Sequence, residues 1–176
     1  MTSKTRLLAI DPGTREFGYA EFSGSALVDH NVVSLRRYNP PDDRVEVLGR
    51  VMTKLMLEKT PDAIALEKNG FFKTEQNQHL MKAIRKIKTL ARRQGIPAYE
   101  IPPGTAKKIA TGNGWATKKE VARALCSYYP DLKVHLNQKS RWKERYEQNM
   151  FDAVACGLAW LSLRADHKLD EYAVEK

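Results

Sequence analysis

Arg6-Leu-Leu-Ala-Ile-Asp-Pro-Gly-Thr-Arg-Glu-Phe-Gly-Tyr-Ala20 is the stretch whose reading decides the fold. Its apolar run, 7–10, is short, lacks polar alternation and ends at Asp11-Pro12-Gly13, so it reads as a buried strand stopped by a turn. An acidic residue therefore stands at the carboxyl end of a buried strand. Outward from there, 17–23 and 27–36 are strand-like runs separated by Ser23-Gly24-Ser25, a hairpin signal. Pro40-Pro41-Asp42-Asp43 breaks the chain. Asp43 followed by Glu46 has the spacing of a capping box, and Val47, Val51 and Leu55 with Leu48, Met52 and Met56 recur at a helical period. Pro61-Asp62 closes that unit. Ala63-Ile-Ala-Leu66 is a second buried strand, with Glu67 at its end.

The spacing predicts a long amphipathic helix over 74–94. Leu80, Ile84, Ile87 and Ala91 form its apolar stripe, and basic residues on its other faces are either solvated or track phosphate. Gly95 and Pro97 stop it, and 98–101 is a third buried strand. A short helix over 105–110, a Gly112-Asn113-Gly114 loop and a helix over 118–129 follow. The polar, charged stretch 133–148 reads as partly mobile, before a last helix over 149–165 with Phe151, Val154, Ala155, Leu158 and Leu161 on one face. No repeat and no linker divides residues 1–176, which read as a single domain. Strands first, then strands alternating with helices, predict an α/β fold: a mixed five-stranded sheet with helices on both faces, the ribonuclease-H-like pattern.

Composition narrows the function. Thirty Lys and Arg against 21 Asp and Glu give a net charge of +9, which points to a polyanionic partner, nucleic acid above all. No apolar stretch has the ~20 residues of a membrane span, and no hydrophobic signal region follows Met1. Two cysteines and four scattered histidines exclude a disulfide framework and a zinc module, so a reduced cytoplasmic compartment is expected. Cys126 and Cys156 read as core, and His79 and His135 lack partners at metal-ligand spacing.

Asp11 and Glu67, at the ends of two strands, emerge at one sheet edge if those strands are parallel neighbours. Asp152, near the start of the last helix, joins them, with Asn149 three residues earlier on the same helical face. Oxygen ligands from separate elements suit Mg²⁺, which keeps positions for phosphate and water. Two such ions stabilise both the attacking and the leaving oxygen of a phosphodiester.

Thr117 with Glu120 has capping-box spacing and starts a helix at Lys118-Lys119. Lysines in a first turn oppose the helix dipole, and become favourable when a phosphate lies there; otherwise they are merely solvated. Gly112 and Gly114 let backbone approach a nucleic-acid strand closely, and Trp115 beside them is either a core anchor or a stacking platform. In Asn69-Gly-Phe-Phe-Lys73, one of Phe71 and Phe72 is expected to pack under the loop. The other, beside Lys73, is expected to meet unpaired bases.

Ile10-Asp-Pro-Gly-Thr-Arg-Glu-Phe-Gly-Tyr-Ala20 resembles the opening motif of RuvC-type Holliday-junction resolvases. Ala65-Leu-Glu67 is similar to that family's second acidic motif, Phe151-Asp-Ala-Val-Ala155 to its terminal helix motif, and the segment 106–121 to its basic loop and helix. Order and spacing hold from about residue 6 to residue 165. The resemblance implies a ribonuclease-H-like fold and a homodimer that cuts four-way DNA junctions by paired symmetrical nicks with Mg²⁺ or Mn²⁺, two ions per site. It implies that Asp11, Glu67 and Asp152 are catalytic metal ligands and that Lys107 and Lys118 are the functional lysines. Nucleoid association in the cytoplasm follows from such a substrate. Asn149 departs from the pattern, since the family usually has an acidic or imidazole ligand there.

Three other readings compete. Sugar kinases and actin-like ATPases share an Asp-x-Gly-Thr turn but need two domains clamping a nucleotide; this chain offers one, so no nucleotide cofactor is expected. A nuclease-dead junction-binding protein and a nuclease of broader branched-DNA or RNA-containing substrates remain as alternatives, separated by metal-dependent cleavage and its substrate range.

Overall fold

The apolar run after Arg6 forms β1 (Arg6–Asp11), in which Leu7, Leu8, Ala9 and Ile10 are all fully buried. The computed structural model describes residues 4–38, 40–68, 75–136 and 141–174, the side chains of 75–77 and 141–146 excepted. β1 runs antiparallel to β2 (Glu16–Ser23), which runs antiparallel to β3 (Ala26–Ser34). On its other side β1 is parallel to β4 (Ala63–Glu67), and β4 to β5 (Ala98–Ile101). The sheet order is β3-β2-β1-β4-β5, so β1 is central and mixed pairing arises at that strand. The fold class read from the pattern is the one observed.

Burial on both faces of β1 needs a cover on each. Leu8 and Ile10 join one core with Ile64 and Leu66, under α1 (Pro41–Lys59) and α2 (Glu75–Arg93). Leu7 and Ala9 point the other way. With Ala63 and Ala65 they join a core formed by α3 (Pro103–Thr111), α4 (Lys118–Tyr128) and α5 (Arg141–Ala165). Among the described residues, no helix is long and apolar enough to cross a membrane. Cys126 and Cys156 are buried free thiols, as expected of core residues.

Two expectations fail for identifiable reasons. Asp43 and Glu46 form no capping box. The helix already begins at Pro41, after Pro40 with no side-chain cap, because proline has no N–H to satisfy and its φ suits the first helical position. Glu46 instead pairs with Lys86 at 3.0 Å and Asp42 with Lys82 at 2.7 Å, tying α1 to α2. Lys88 pairs with Glu100 of β5 at 2.7 Å. These three α2 lysines are therefore committed within the fold rather than lying free for phosphate.

The second failure is the start of the last helix, at Arg141 rather than 149. Arg, Lys, Glu and Gln, which dominate 141–148, are good helix formers, and Trp142 and Tyr146 stand four residues apart in line with Met150, a stripe that the charge of the segment obscured. The stretch read as partly mobile thus holds the end of a 3₁₀ turn, Pro130–His135, and the first two turns of α5; residues 137–140 lie outside the described residues. Asp152 sits about three turns into α5 rather than near its start.

Candidate active site

Alternation along the strands aims the carboxylates. Asp11 continues the Leu7–Ala9 face of β1, and Glu67 continues the Ala63–Ala65 face of β4, so both side chains lie on the α5 side of the sheet. The parallel pairing of the two strands puts their carboxyl ends together. α5 crosses above them and contributes Asp152. The ligand oxygens of Asp11, Glu67 and Asp152 all lie within 4.8 Å of one another.

α5 comes close because small residues line its track. Gly18 pairs with Asp11 across β1 and β2, and a Cβ there would stand 1.9 Å from the Asn149 carbonyl oxygen. At Gly157, one and a half turns beyond Asp152, a Cβ would stand 2.1 Å from the Phe22 ring. Neither position has room for a side chain.

Burial and neighbouring negative charge oppose the ionisation of Asp11 and Glu67. Burial, then the negative charges of Glu67 and Asp152, pushes the Asp11 carboxyl well above its usual range, against a lowering influence from Lys118. Burial, then Asp152, pushes Glu67 up to about 7, against Lys118 and Lys107. Cys156, fully buried one turn beyond Asp152, has its thiol raised by burial and by the same three carboxylates. Asp152 is held by Lys118 Nζ at 3.3 Å from Oδ2 and by Gln148 Nε2, which donates to Oδ1 at 2.8 Å. Hard oxygens this close, with charge that protein cations only partly offset, fit a divalent cation.

Lys118 is mostly exposed and opens α4, while Lys107 is half-buried on α3. The Thr117–Glu120 capping box forms in both directions and fixes that helix start. Lys119 is exposed in the same turn. Asn149 is half-buried beside the site, and its amide nitrogen donates to the Glu16 carbonyl at 3.4 Å, joining α5 to the β1–β2 turn.

Gly112 is the left-handed end of α3, with φ of 81° and its N–H on the Lys108 carbonyl. Gly114 packs its backbone towards Gly104, whose carbonyl would lie 3.3 Å from an added Cβ. Both glycines thus have conformational reasons within the fold. Trp115 is 94% exposed, which excludes the core-anchor reading; the next residue, Ala116, is the one that packs inward. Phe71, Phe72 and Lys73 lie outside the described residues.

Sequence reasoning missed Gln148 and Gly18. Gln148 precedes Asp152 by one helical turn, a spacing that becomes visible only when α5 is extended back to Arg141. Gly18 offered the weaker sign of a glycine inside a strand, which marks a close approach of another backbone.

The family profile described as Crossover junction endodeoxyribonuclease RuvC matches residues 7–137 of the chain, about three-quarters of it. The chain belongs to the RuvC family. A relative from Chlorobium phaeovibrioides bearing that description is 32% identical over 127 residues, covering 69% of this chain and 67% of the relative. Another, from Synechococcus sp. (strain RCC307), is 29% identical over 164 residues, 88% of this chain and 98% of the relative. A span of that length reaches into α5, beyond the end of the profile match. The solved structure of T. thermophilus RuvC in complex with Holliday junction substrate superposes with a TM-score of 0.79 at 21% identity, covering 97% of this chain and 99% of the other. At that identity the likeness speaks for the fold.

Proposed function

We propose that this protein is a metal-dependent endonuclease that cuts four-way DNA junctions by paired symmetrical nicks. The observation that carries the reading is the meeting of Asp11, Glu67 and Asp152 from β1, β4 and α5 at one edge of the sheet. Membership of a family described as crossover junction endodeoxyribonucleases supports the substrate class, as do a net charge of +9 and a structural relative holding a Holliday junction.

Asp11, Glu67 and Asp152 would hold Mg²⁺ or Mn²⁺, two ions per site, with Asn149 as the further ligand. Such ions, when bound, acidify water and offset charge on the leaving oxygen of a phosphodiester. The protein's part is to hold three deprotonated carboxylates together against their own repulsion, on two strands and a helix that cannot easily move apart. Gln148 and Lys118 orient the Asp152 carboxylate. Lys118 stands between that carboxylate and solvent, where a phosphate shares its charge with the free N–H groups at the start of α4. Lys107 acts electrostatically from the Glu67 side.

Lys119, Gly112 and Gly114 border the path of the DNA, and one of Phe71 and Phe72, with Lys73 beside it in the segment that follows Glu67, meets the junction centre. A four-way junction offers two equivalent scissile strands, and a homodimer matches that symmetry. The cytoplasm, at the nucleoid, is where such a substrate arises.

Incubation with four-way, three-way, flap and linear DNA, with and without Mg²⁺ or Mn²⁺, tests the reading. Symmetrical nicks confined to the four-way junction and dependent on metal support it. Binding without cleavage supports the nuclease-dead alternative, and equal cutting of every branched substrate supports the broader nuclease.

A further inference from the structure

We propose that Trp115 is a stacking platform for an unpaired nucleobase within a few nucleotides of the scissile phosphate, an inference that rests on the DNA-cutting reading above. The indole is 94% exposed, whereas Ala116 beside it is 2% exposed, so the chain turns the larger apolar side chain outward and buries the smaller.

Its backbone is held in that attitude. The Thr111 hydroxyl lies 2.8 Å from the Lys107 carbonyl and 3.0 Å from the Asn113 carbonyl, and accepts from the Asn113 N–H at 3.1 Å. Asn113 Oδ1 accepts from the Trp115 N–H at 3.0 Å, and the Asn113 carbonyl accepts from the Ala116 N–H at 3.2 Å. The Thr117–Glu120 capping box closes the segment on its other side. An aromatic ring on a fixed backbone loses little freedom on binding, and such pre-organisation favours affinity.

Position and chemistry select the partner. Trp115 precedes Lys118 by three residues, which span at most about 10 Å, and Lys118 touches Asp152. A nucleic-acid strand advances about 3.4 Å per nucleotide in a duplex, so the ring reaches bases only a few positions from the cut. Along the chain its exposed neighbours are Gly112, Asn113, Thr117, Lys118, Lys119 and Glu120, polar and net basic rather than apolar. A protein interface would instead present apolar residues at its centre. Basic grooves with single aromatic platforms hold unpaired bases, whose faces are open, without regard to sequence.

The test uses Trp115→Ala and Trp115→Phe beside wild type. Each is titrated, with EDTA present, into a four-way junction carrying 2-aminopurine at successive positions within three nucleotides of the nick, and into the same strand unpaired. Wild type and Trp115→Phe should quench one or two positions. Trp115→Ala should lose that quenching and bind about 10- to 100-fold more weakly with an unchanged melting temperature.

Equal quenching and affinity in Trp115→Ala overturn the proposal, as does a loss of self-association in sedimentation with unchanged DNA binding. Trp115-dependent quenching without any metal-dependent cleavage by wild type upholds the platform while removing the nuclease reading. Normal cleavage with no Trp115 dependence does the reverse.

Discussion

Alanine at position 18 puts a methyl group 1.9 Å from the Asn149 carbonyl oxygen, 2.2 Å from its carbonyl carbon and 2.7 Å from the Met150 nitrogen. All three are backbone atoms, so no side chain can rotate out of the way. Ordinary van der Waals contact begins near 3.4 Å, which requires α5 and β2 to separate by about 1.5 Å. Overpacking of this kind costs about 1–3 kcal/mol, and for a chain of this length that lowers the melting temperature by roughly 2–12 °C. The functional cost is larger. Asp152 rides on α5 and Asp11 sits across from Gly18, so the same separation opens the carboxylate cluster. A misplacement of about 1 Å in a catalytic constellation costs on the order of 10²-fold in rate. The assay is four-way-junction cleavage at saturating metal, paired with thermal melting. Gly104→Ala is the control, because its methyl would meet only the Gly114 carbonyl, at 4.0 Å. A Gly18→Ala protein that melts and cuts like wild type would refute the claim that α5 is seated through this glycine.

Other consequences follow from charge. Glu67 titrates near 7 when folded against its ordinary 4.5, so in EDTA it contributes stability that is lost as pH rises from about 4.5 through about 7, at most about 3 kcal/mol. Melting of wild type relative to Glu67→Gln should fall across that window and Mg²⁺ should remove the fall; parallel curves in EDTA contradict the repulsion. Lys107→Ala and Lys118→Ala should each slow cleavage about 10²-fold while weakening junction binding far less; a binding loss with the salt slope reduced by about one, and no further effect on rate, would make them plain phosphate contacts. Asn149→Asp should lower the Mg²⁺ needed for cleavage, and wild type should prefer Mn²⁺ at limiting metal. The same substitution should cost about 1 kcal/mol of stability by losing the bond to the Glu16 carbonyl. Superimposable Mg²⁺ curves would leave Asn149 as a brace for the β1–β2 turn and no more.

β1 and β4 were legible because each is a short apolar run ending in a carboxylate; 98–101 was placed to the residue as β5, but it is an edge strand in which Ile101 alone is buried, not the buried strand expected. Asp11 and Glu67 were legible for the same reason, since a carboxylate directly after a buried strand has little local purpose. That both face α5 follows from counting alternate residues back to Leu7 and Ala63, once the packing on each face is known.

What escaped the sequence is non-local or leaves no apolar trace. The place of β1 at the centre depends on pairings between distant segments. The first two turns of α5 carry only Trp142 and Tyr146 as apolar marks among charged residues, so the charge of the segment outweighed their i, i+4 spacing, and with them went Gln148. The lysines of α2 looked available to phosphate because their partners Asp42, Glu46 and Glu100 lie on other elements. The side on which Trp115 falls was likewise undecidable until its neighbour Ala116 was seen to take the inward position.

The most direct test is to follow cleavage of one end-labelled four-way junction by wild type, Asp11→Asn, Glu67→Gln and Asp152→Asn, each in Mg²⁺ and in EDTA, with junction binding measured on the same preparations. Wild type should make paired symmetrical nicks in Mg²⁺ only, and each variant should bind the junction while cutting it at least ~10²-fold more slowly, the loss of a charged ligand costing metal rather than phosphate attraction. Wild-type nicks that persist in EDTA, or a full rate in any one variant, would contradict the account.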